Sequence, residues 1–313
     1  MLSRRLINIA ALFISAGSVS AQTPHQTIVT KTEREVIPEG ITINPADGKI
    51  YVSSIALKKI ISIDSTGAHR DFIKTGQDGF QEGLGMKIDQ KKQWLWVVSN
   101  PKKGKGTSHV HAFDLKTGAV RQHYEVKDTS VHLLNDLILH PNGKVYITDT
   151  YASCLYEVDP ARKKLKILIK DNILDGANGI AFNEKGKVYI ATRNGLLHWN
   201  VASNQLIPLT FSDSRKSLWL DGLVYWNNRI MGVGDNVIVQ YLLNDKGDQI
   251  MSEKIIDEKN KLFHEPTTIA LFKEKLYAIA NSNLAVYNNN DESVSGIEDQ
   301  LGPVMILVYP LEK

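Results

Sequence analysis

Two carboxylates and two carboxamides recur at one place in a repeated pattern, and they carry the clearest chemical signal in this chain. Glu39, Asn135, Asn178 and Asp221 each stand two residues before the first apolar position of a β-type run, and Leu84 and Thr267 hold the same place in two further copies. Brought to one axis, the four polar members would offer hard oxygen donors with no imidazole or thiol among them. Such a set suits Ca²⁺ better than zinc or copper, and another divalent cation is the alternative occupant. Two carboxylates would balance the charge of the ion and leave positions open for water or a substrate. Taken singly, Asn178 before Gly179 and Asp221 before Gly222 read as turn residues, because Asn and Asp cap turns and tolerate unusual backbone angles. The shared position in four copies, one of them a Glu with no turn preference, favours the metal site.

The elements that must position these residues are short strands. The repeat is clearest over residues 134–159, LNDLILHPNGKVYITDTYASCLYEVD. An apolar strand, a Pro-Asn-Gly-Lys turn, a second strand, a polar loop and a third strand follow one another, with β-branched and aromatic runs set off by Asn-Gly chemistry. Six copies recur every 43–51 residues. A period of about 40–50 residues built from short strands is the signature of a β-propeller, each copy one four-stranded blade. A sandwich or barrel would have to produce six in-register copies by coincidence. The sequence therefore predicts an all-β, six-bladed β-propeller.

Blade geometry then sorts the residues. The first strand of each blade lines the central channel, so the six anchors ring one mouth. The loops between second and third strands form an outer ring there: Ser53, Asn100, Asp149, Arg193, Asp235 and Asn281. The turns Asp47-Gly48, Asn142-Gly143 and Lys185-Gly186 face the other end. Residues 27–30 and the apolar run at 304–309 are expected to pair and close the ring, since an open ring would leave a bare strand edge. Residues 288–302, acidic and polar, read as a loop.

Before the repeats, Arg4 and Arg5, a short apolar stretch at 6–16 and the small residues Val19-Ser20-Ala21 make residues 1–21 a secretory signal peptide, too short for a membrane span. Export to the periplasm or the extracellular space is expected, with residues 22–313 as one propeller domain acting as a monomer. Losing Arg4 and Arg5 with the signal takes the formal charge from +3 to +1, which gives no electrostatic reason to bind nucleic acid or an acidic membrane. The single cysteine, Cys154, cannot form an intrachain disulfide and reads as a small packed residue.

The segments PEGI at 38–41, LND at 134–136, ANGI at 177–180 and LDGL at 220–223 resemble the SMP-30/gluconolactonase family, a group of calcium-dependent six-bladed propellers related to paraoxonases and diisopropyl-fluorophosphatase. The resemblance covers nearly all of the chain after the signal. It implies that Glu39, Asn135, Asn178 and Asp221 bind a catalytic calcium and that a lactone or related ester is hydrolysed. Two features depart from the group. The paraoxonase-like pattern has a histidine where this chain has Leu84, and no residue aligns with the substrate-binding arginine of the sugar-lactone enzymes; Arg193 lies in a suitable loop but in another blade.

On this reading the cation polarises the carbonyl of a small-molecule substrate. Asp221 is the first choice for general base or nucleophile and Glu39 the second, while Asp149, Arg193, Asp235 and Thr267 line the substrate pocket. The competing class is a non-catalytic binding propeller with a structural calcium; a metal-free propeller of the strictosidine-synthase type does not explain the four oxygen donors. His109 and His111 alternate along a strand and so share a face, but no third zinc ligand is evident. His132 and His264, each three residues before an anchor, reach towards the rim. The five tryptophans read mostly as core and inter-blade packing.

Overall fold

The protein, described by a computed structural model over residue 24 and residues 26–312, forms six four-stranded antiparallel sheets. The segment read as a signal peptide lies outside the described residues. Each sheet is a blade. Blade 3 shows the pattern in its simplest form: Leu134–Leu139, Val145–Asp149, Cys154–Asp159 and Lys164–Lys170 pair in that order. Its first three strands are almost wholly buried and its fourth is mostly exposed. The expected six-bladed architecture is therefore the observed one.

The ring closes as the apolar termini require. Gln26–Val29 pairs with Met305–Pro310, Thr27 facing Leu307 and Val29 facing Met305, so the first described strand completes the last blade. The second and third strands of that blade are separated by residues 280–304, which hold a short helix, Leu284–Asn289, and a turn of 3₁₀ helix, Glu298–Gln300. Their apolar side chains, Tyr287, Ile297 and Leu301, pack with Ile37 of blade 1. The excursion is thus part helical and docked, where the sequence suggested only loop.

One apolar cluster lies at each junction between blades. Trp96, Val98, Leu137 and Ile147, for example, join blades 2 and 3, and Ile138, Tyr146, Ile190 and Trp199 join blades 3 and 4. Because a blade is covered on both faces, its inner strands read as continuous apolar runs. At about 25 cal/mol per Å² of buried apolar area, these junctions supply the main favourable term. Cys154 is packed into one of them, where burial pushes its thiol pKa up. Among the described residues no helix is long and apolar enough to cross a membrane.

Candidate metal centre

The first strands bring four side chains to one point. Glu39, Asn135, Asn178 and Asp221 line a single small cavity at the channel mouth, about 10 Å³ in volume. That is close to one water-sized sphere, the right scale for one ion. Leu84 is buried at the matching position of blade 2, and its neighbour Gly85 reaches the cavity wall. Thr267 is also buried; its hydroxyl donates to the backbone carbonyl of Glu39 at 3.2 Å, while Thr268 lines the cavity.

Two local devices aim these groups. In blades 1, 2 and 3 the ladder slips between 38 and 41, between 83 and 86, and between 134 and 137. These β-bulges break the two-residue alternation at the anchor, as bulges beside functional sites often do. In blades 4, 5 and 6 the strands begin only at Ile180, Leu223 and Ile269, so the anchors precede them. The second device is the glycine that follows the anchor. A Cβ on Gly40 would stand 2.1 Å from the carbonyl oxygen of Leu84, and one on Gly179 would stand 2.1 Å from that of Asp221. Neither glycine needs a left-handed backbone, and neither Asn178 nor Asp221 has a positive φ. The glycines serve close approach of neighbouring blades, not turn conformation.

The bulge in blade 3 brings in a residue that the sequence reading missed. Asp136 is buried, lines the same cavity and accepts from Lys87 Nζ at 3.1 Å and from the Leu137 amide at 2.8 Å. Strict alternation would have sent it to the face opposite Asn135. The signal available was the carboxylate itself, adjacent to an anchor in LND.

The electrostatics of the mouth are unresolved by the protein alone. Burial, the charge of Asp221 and that of Asp136 push the Glu39 carboxyl well above its usual range, with the nearby Thr267 hydroxyl opposing the rise. Burial pushes Asp221 up to about 7, with Asp136 adding to the rise and a hydrogen bond from Asn178 opposing it. The channel beyond is a cavity of about 390 Å³ walled largely by aliphatic residues such as Ile41, Ile180, Leu223 and Ile269. Asn178 Oδ1 is buried with no hydrogen-bond partner. Asn135 commits its Nδ2 to the Thr150 hydroxyl at 2.9 Å, which leaves its oxygen as the remaining polar atom. Two mutually repelling carboxylates and an orphaned amide oxygen fit a hard divalent cation.

The outer ring is a different structure. Ser53 accepts from the Gly40 amide and donates to the Leu84 carbonyl, both at 2.8 Å. Asn100 clasps the amide and carbonyl of Leu134, and Asn281 bonds the Met305 amide and the Pro303 carbonyl. Asp149 is fully buried against His132. Arg193 is exposed and paired with Asp175 at 2.9 Å, and Asp235 accepts from Asn236 at the surface. Of the four residues expected to line the substrate pocket, Asp149 and Thr267 are buried and Arg193 and Asp235 are exposed. His132 is likewise buried, whereas His264 is exposed and borders a cleft of about 670 Å³ with Glu265 and Asn281. Among the tryptophans Trp219 departs from packing; it is 49% exposed, two residues before Asp221, and Tyr151 is 57% exposed in the mouth-side loop of blade 3.

A family described as the SMP-30/gluconolactonase/LRE-like region matches residues 37–198, just over half of the chain. No curated protein matches it. Among solved structures the chain is similar to the major allergen Mala s 1 of Malassezia sympodialis, with a TM-score of 0.71 and 15% identity over 90% of this chain and 95% of that one. It is similar to a PQQ-bound aldose sugar dehydrogenase from Streptomyces coelicolor, TM-score 0.62 and 12% identity over 92% and 98% of the two chains. It is also similar to a gluconolactonase from Xanthomonas campestris, TM-score 0.59 and 12% identity over 87% and 86%. At such identities these likenesses speak to the fold, and the three functions differ.

Proposed function

Because the chain belongs to the SMP-30/gluconolactonase/LRE-like family, we propose that it is a calcium-dependent hydrolase of a small lactone or related ester. Glu39, Asn135, Asn178 and Asp221 would hold the cation. The observation that carries this reading is their convergence on an ion-sized cavity in which Asn178 Oδ1 has no protein partner. A bound divalent cation there supplies stabilisation of the negative charge that develops on a substrate carbonyl oxygen.

The chain's own residues do the rest. Asp221 is the most exposed of the four and so stands where a substrate from the mouth would meet it. Beside a bound cation its ionised form is favoured, so it is the carboxylate placed to take a proton from an attacking water as a weak base, or to attack directly. Glu39, deeper and held at its backbone by Thr267, is the second carboxylate. Lys87 holds Asp136 in place from the channel side. Trp219 and Tyr151 offer apolar surface at the rim, and Arg193 offers a charge, for orienting a substrate. We place the working protein outside the cytoplasm on the strength of the sequence of residues 1–21, and take it to act as a monomer.

The test is turnover of a panel of lactones and esters by chelator-stripped protein with and without Ca²⁺. Turnover that appears only with the cation supports the reading. Stoichiometric calcium binding with no turnover across the panel would make the protein a binding propeller instead.

A further inference from the structure

On the outer half of blade 2, three imidazoles meet. His109 and His111 lie on the strand Ser108–Asp114, and His123 lies on the next strand, Val120–Val126, directly across from His111. Residues two apart on a strand share a face, and the cross-strand neighbour adds a third side chain within reach. One nitrogen from each ring falls within 4.8 Å of the others, the one group of three imidazole, thiol or carboxylate ligands this tight among the described residues. His109 Nδ1 stands 2.9 Å from His123 Nε2.

The tautomer of His111 is fixed by its surroundings. Its Nε2 donates to the backbone carbonyl of Asp78 at 3.1 Å, so Nδ1 carries the free lone pair. That Nδ1 is buried and has no hydrogen-bond partner, in a residue with no exposure at all. An imidazole whose N–H is spent on a backbone carbonyl while the other nitrogen points free is the arrangement of a metal-ligating histidine. Packing explains part of the cluster: the His111 and His123 rings stack at 4.3 Å, and His111 stacks on Phe113 at 5.1 Å. Packing does not explain an orphaned buried acceptor, which costs free energy unless a partner arrives. Burial and the neighbouring rings lower the pKa of His111 to about 4 and that of His109 below its ordinary value, which keeps both in the neutral form a metal requires. His123 is exposed, and Glu125 approaches His109 Nδ1 at 3.9 Å, so an ion has a route in from solvent.

We propose that His109, His111 and His123 form a second metal site, independent of the channel mouth, that takes a borderline divalent transition ion, Zn²⁺ first of all. The donor chemistry separates the two sites. Three neutral imidazoles suit zinc, copper or nickel, whereas the carboxylates and amides of the mouth suit calcium. The fourth position would open on the solvent side, beside His123.

The experiment uses the full chain, stripped with chelator and returned to excess Ca²⁺ so that the oxygen donors are occupied. It is then titrated with ZnCl₂ and, as a spectroscopic probe, with CoCl₂. One zinc per chain is expected, with the visible absorption of nitrogen-ligated Co²⁺ and a melting temperature raised by several degrees. His123→Ala, at an exposed position, and His109→Gln should each weaken uptake by about tenfold or more, while Asn178→Ala leaves it unchanged. Far-UV circular dichroism confirms that each variant is folded. Absence of stoichiometric zinc uptake by the wild type, or uptake unaltered in both histidine variants, would overturn the proposal and leave the cluster as aromatic packing.

Discussion

Two groups of carboxylates sit at the same end of the propeller and are treated in opposite ways. At Asp149 every polar atom is answered: Oδ2 lies 2.6 Å from His132 Nδ1, and Oδ1 accepts the amides of Leu133 and Ala152 at 3.0 and 3.1 Å. The other nitrogen of His132 meets Asp128 at 2.9 Å. Burial alone would lower the pKa of that imidazole, but the two carboxylates outweigh it and raise the pKa above its ordinary value. At the mouth, Glu39 and Asp221 face each other with Asp136 nearby, and the lysine that reaches them sits on Asp136. Asn178 Oδ1 is left bare. A buried group with its partners supplied from within is structural; one whose partners are withheld is waiting for something from outside.

The sharpest test of that contrast is to delete one carboxylate from each group. Asp221→Ala should lower turnover by about 10³-fold, roughly 4 kcal/mol of transition-state stabilisation, with little loss of melting temperature, because it removes a repulsion as well as a ligand. Turnover retained in this variant would remove Asp221 from the mechanism. Asp149→Ala should do the reverse: it leaves the buried His132 ring with Asp128 alone and two amides without an acceptor, and costs about 1–3 kcal/mol of stability, while activity per folded molecule is preserved. Denaturant unfolding and initial rates on the same samples measure both. A dead but fully stable Asp149→Ala protein would erase the distinction.

Asn178→Ala sits between these extremes. Its side chain contributes one oxygen to the cavity and one hydrogen bond to Asp221. Losing both should weaken calcium binding by roughly tenfold, the scale of one such interaction, as a calorimetric titration of chelator-stripped protein would read it. Unchanged affinity would mean that the bare oxygen has no ligand to meet.

pH separates the two groups in a different way. The folded-state pKa of Asp221, about 7, lies above its ordinary 3.8, so between these values the native chain holds a proton that the unfolded chain has released. Calcium-free protein should therefore lose stability as pH rises from about 4 to about 7, and Ca²⁺ should restore it. The raised pKa of His132 also gives stability at low pH, present below its ordinary 6.5 and lost as pH rises through the folded value; calcium should not affect that part. Melting temperatures from pH 4 to 9, with and without Ca²⁺, divide the two, and a pH dependence indifferent to calcium would contradict the mouth assignment.

The repeat made the fold legible, because a propeller strand is short, buried on both faces and bounded by turns, and each of those is a local sequence property. The anchors were legible for the same reason: six residues at one register must share one end of the channel. What escaped was set by backbone geometry that residue types do not announce. Asp136 faces the cavity only because a bulge breaks the alternation at Leu134–Leu139. His123 completes the three imidazoles only through cross-strand register with His111, which the spacing of His109 and His111 could not supply. Asp149 carried the residue type of a binding group, and only the partners around it reveal the clamp.

Arg193 gives the smallest effect and the finest discrimination. Its 2.9 Å pair with Asp175 joins two exposed side chains, so solvent screens it and it contributes about 0.2–1 kcal/mol at most. Arg193→Ala should leave melting temperature and calcium affinity nearly unchanged. If the guanidinium orients a substrate from the rim, the Michaelis constant rises several-fold while the turnover number holds, since an interaction made equally in ground and transition states acts on binding alone. If both constants stay put, Arg193 belongs with the satisfied groups despite its exposure, and substrate orientation falls to the apolar rim at Trp219 and Tyr151. That outcome would sharpen the contrast, because Asp175 would then be the only partner the arginine needs.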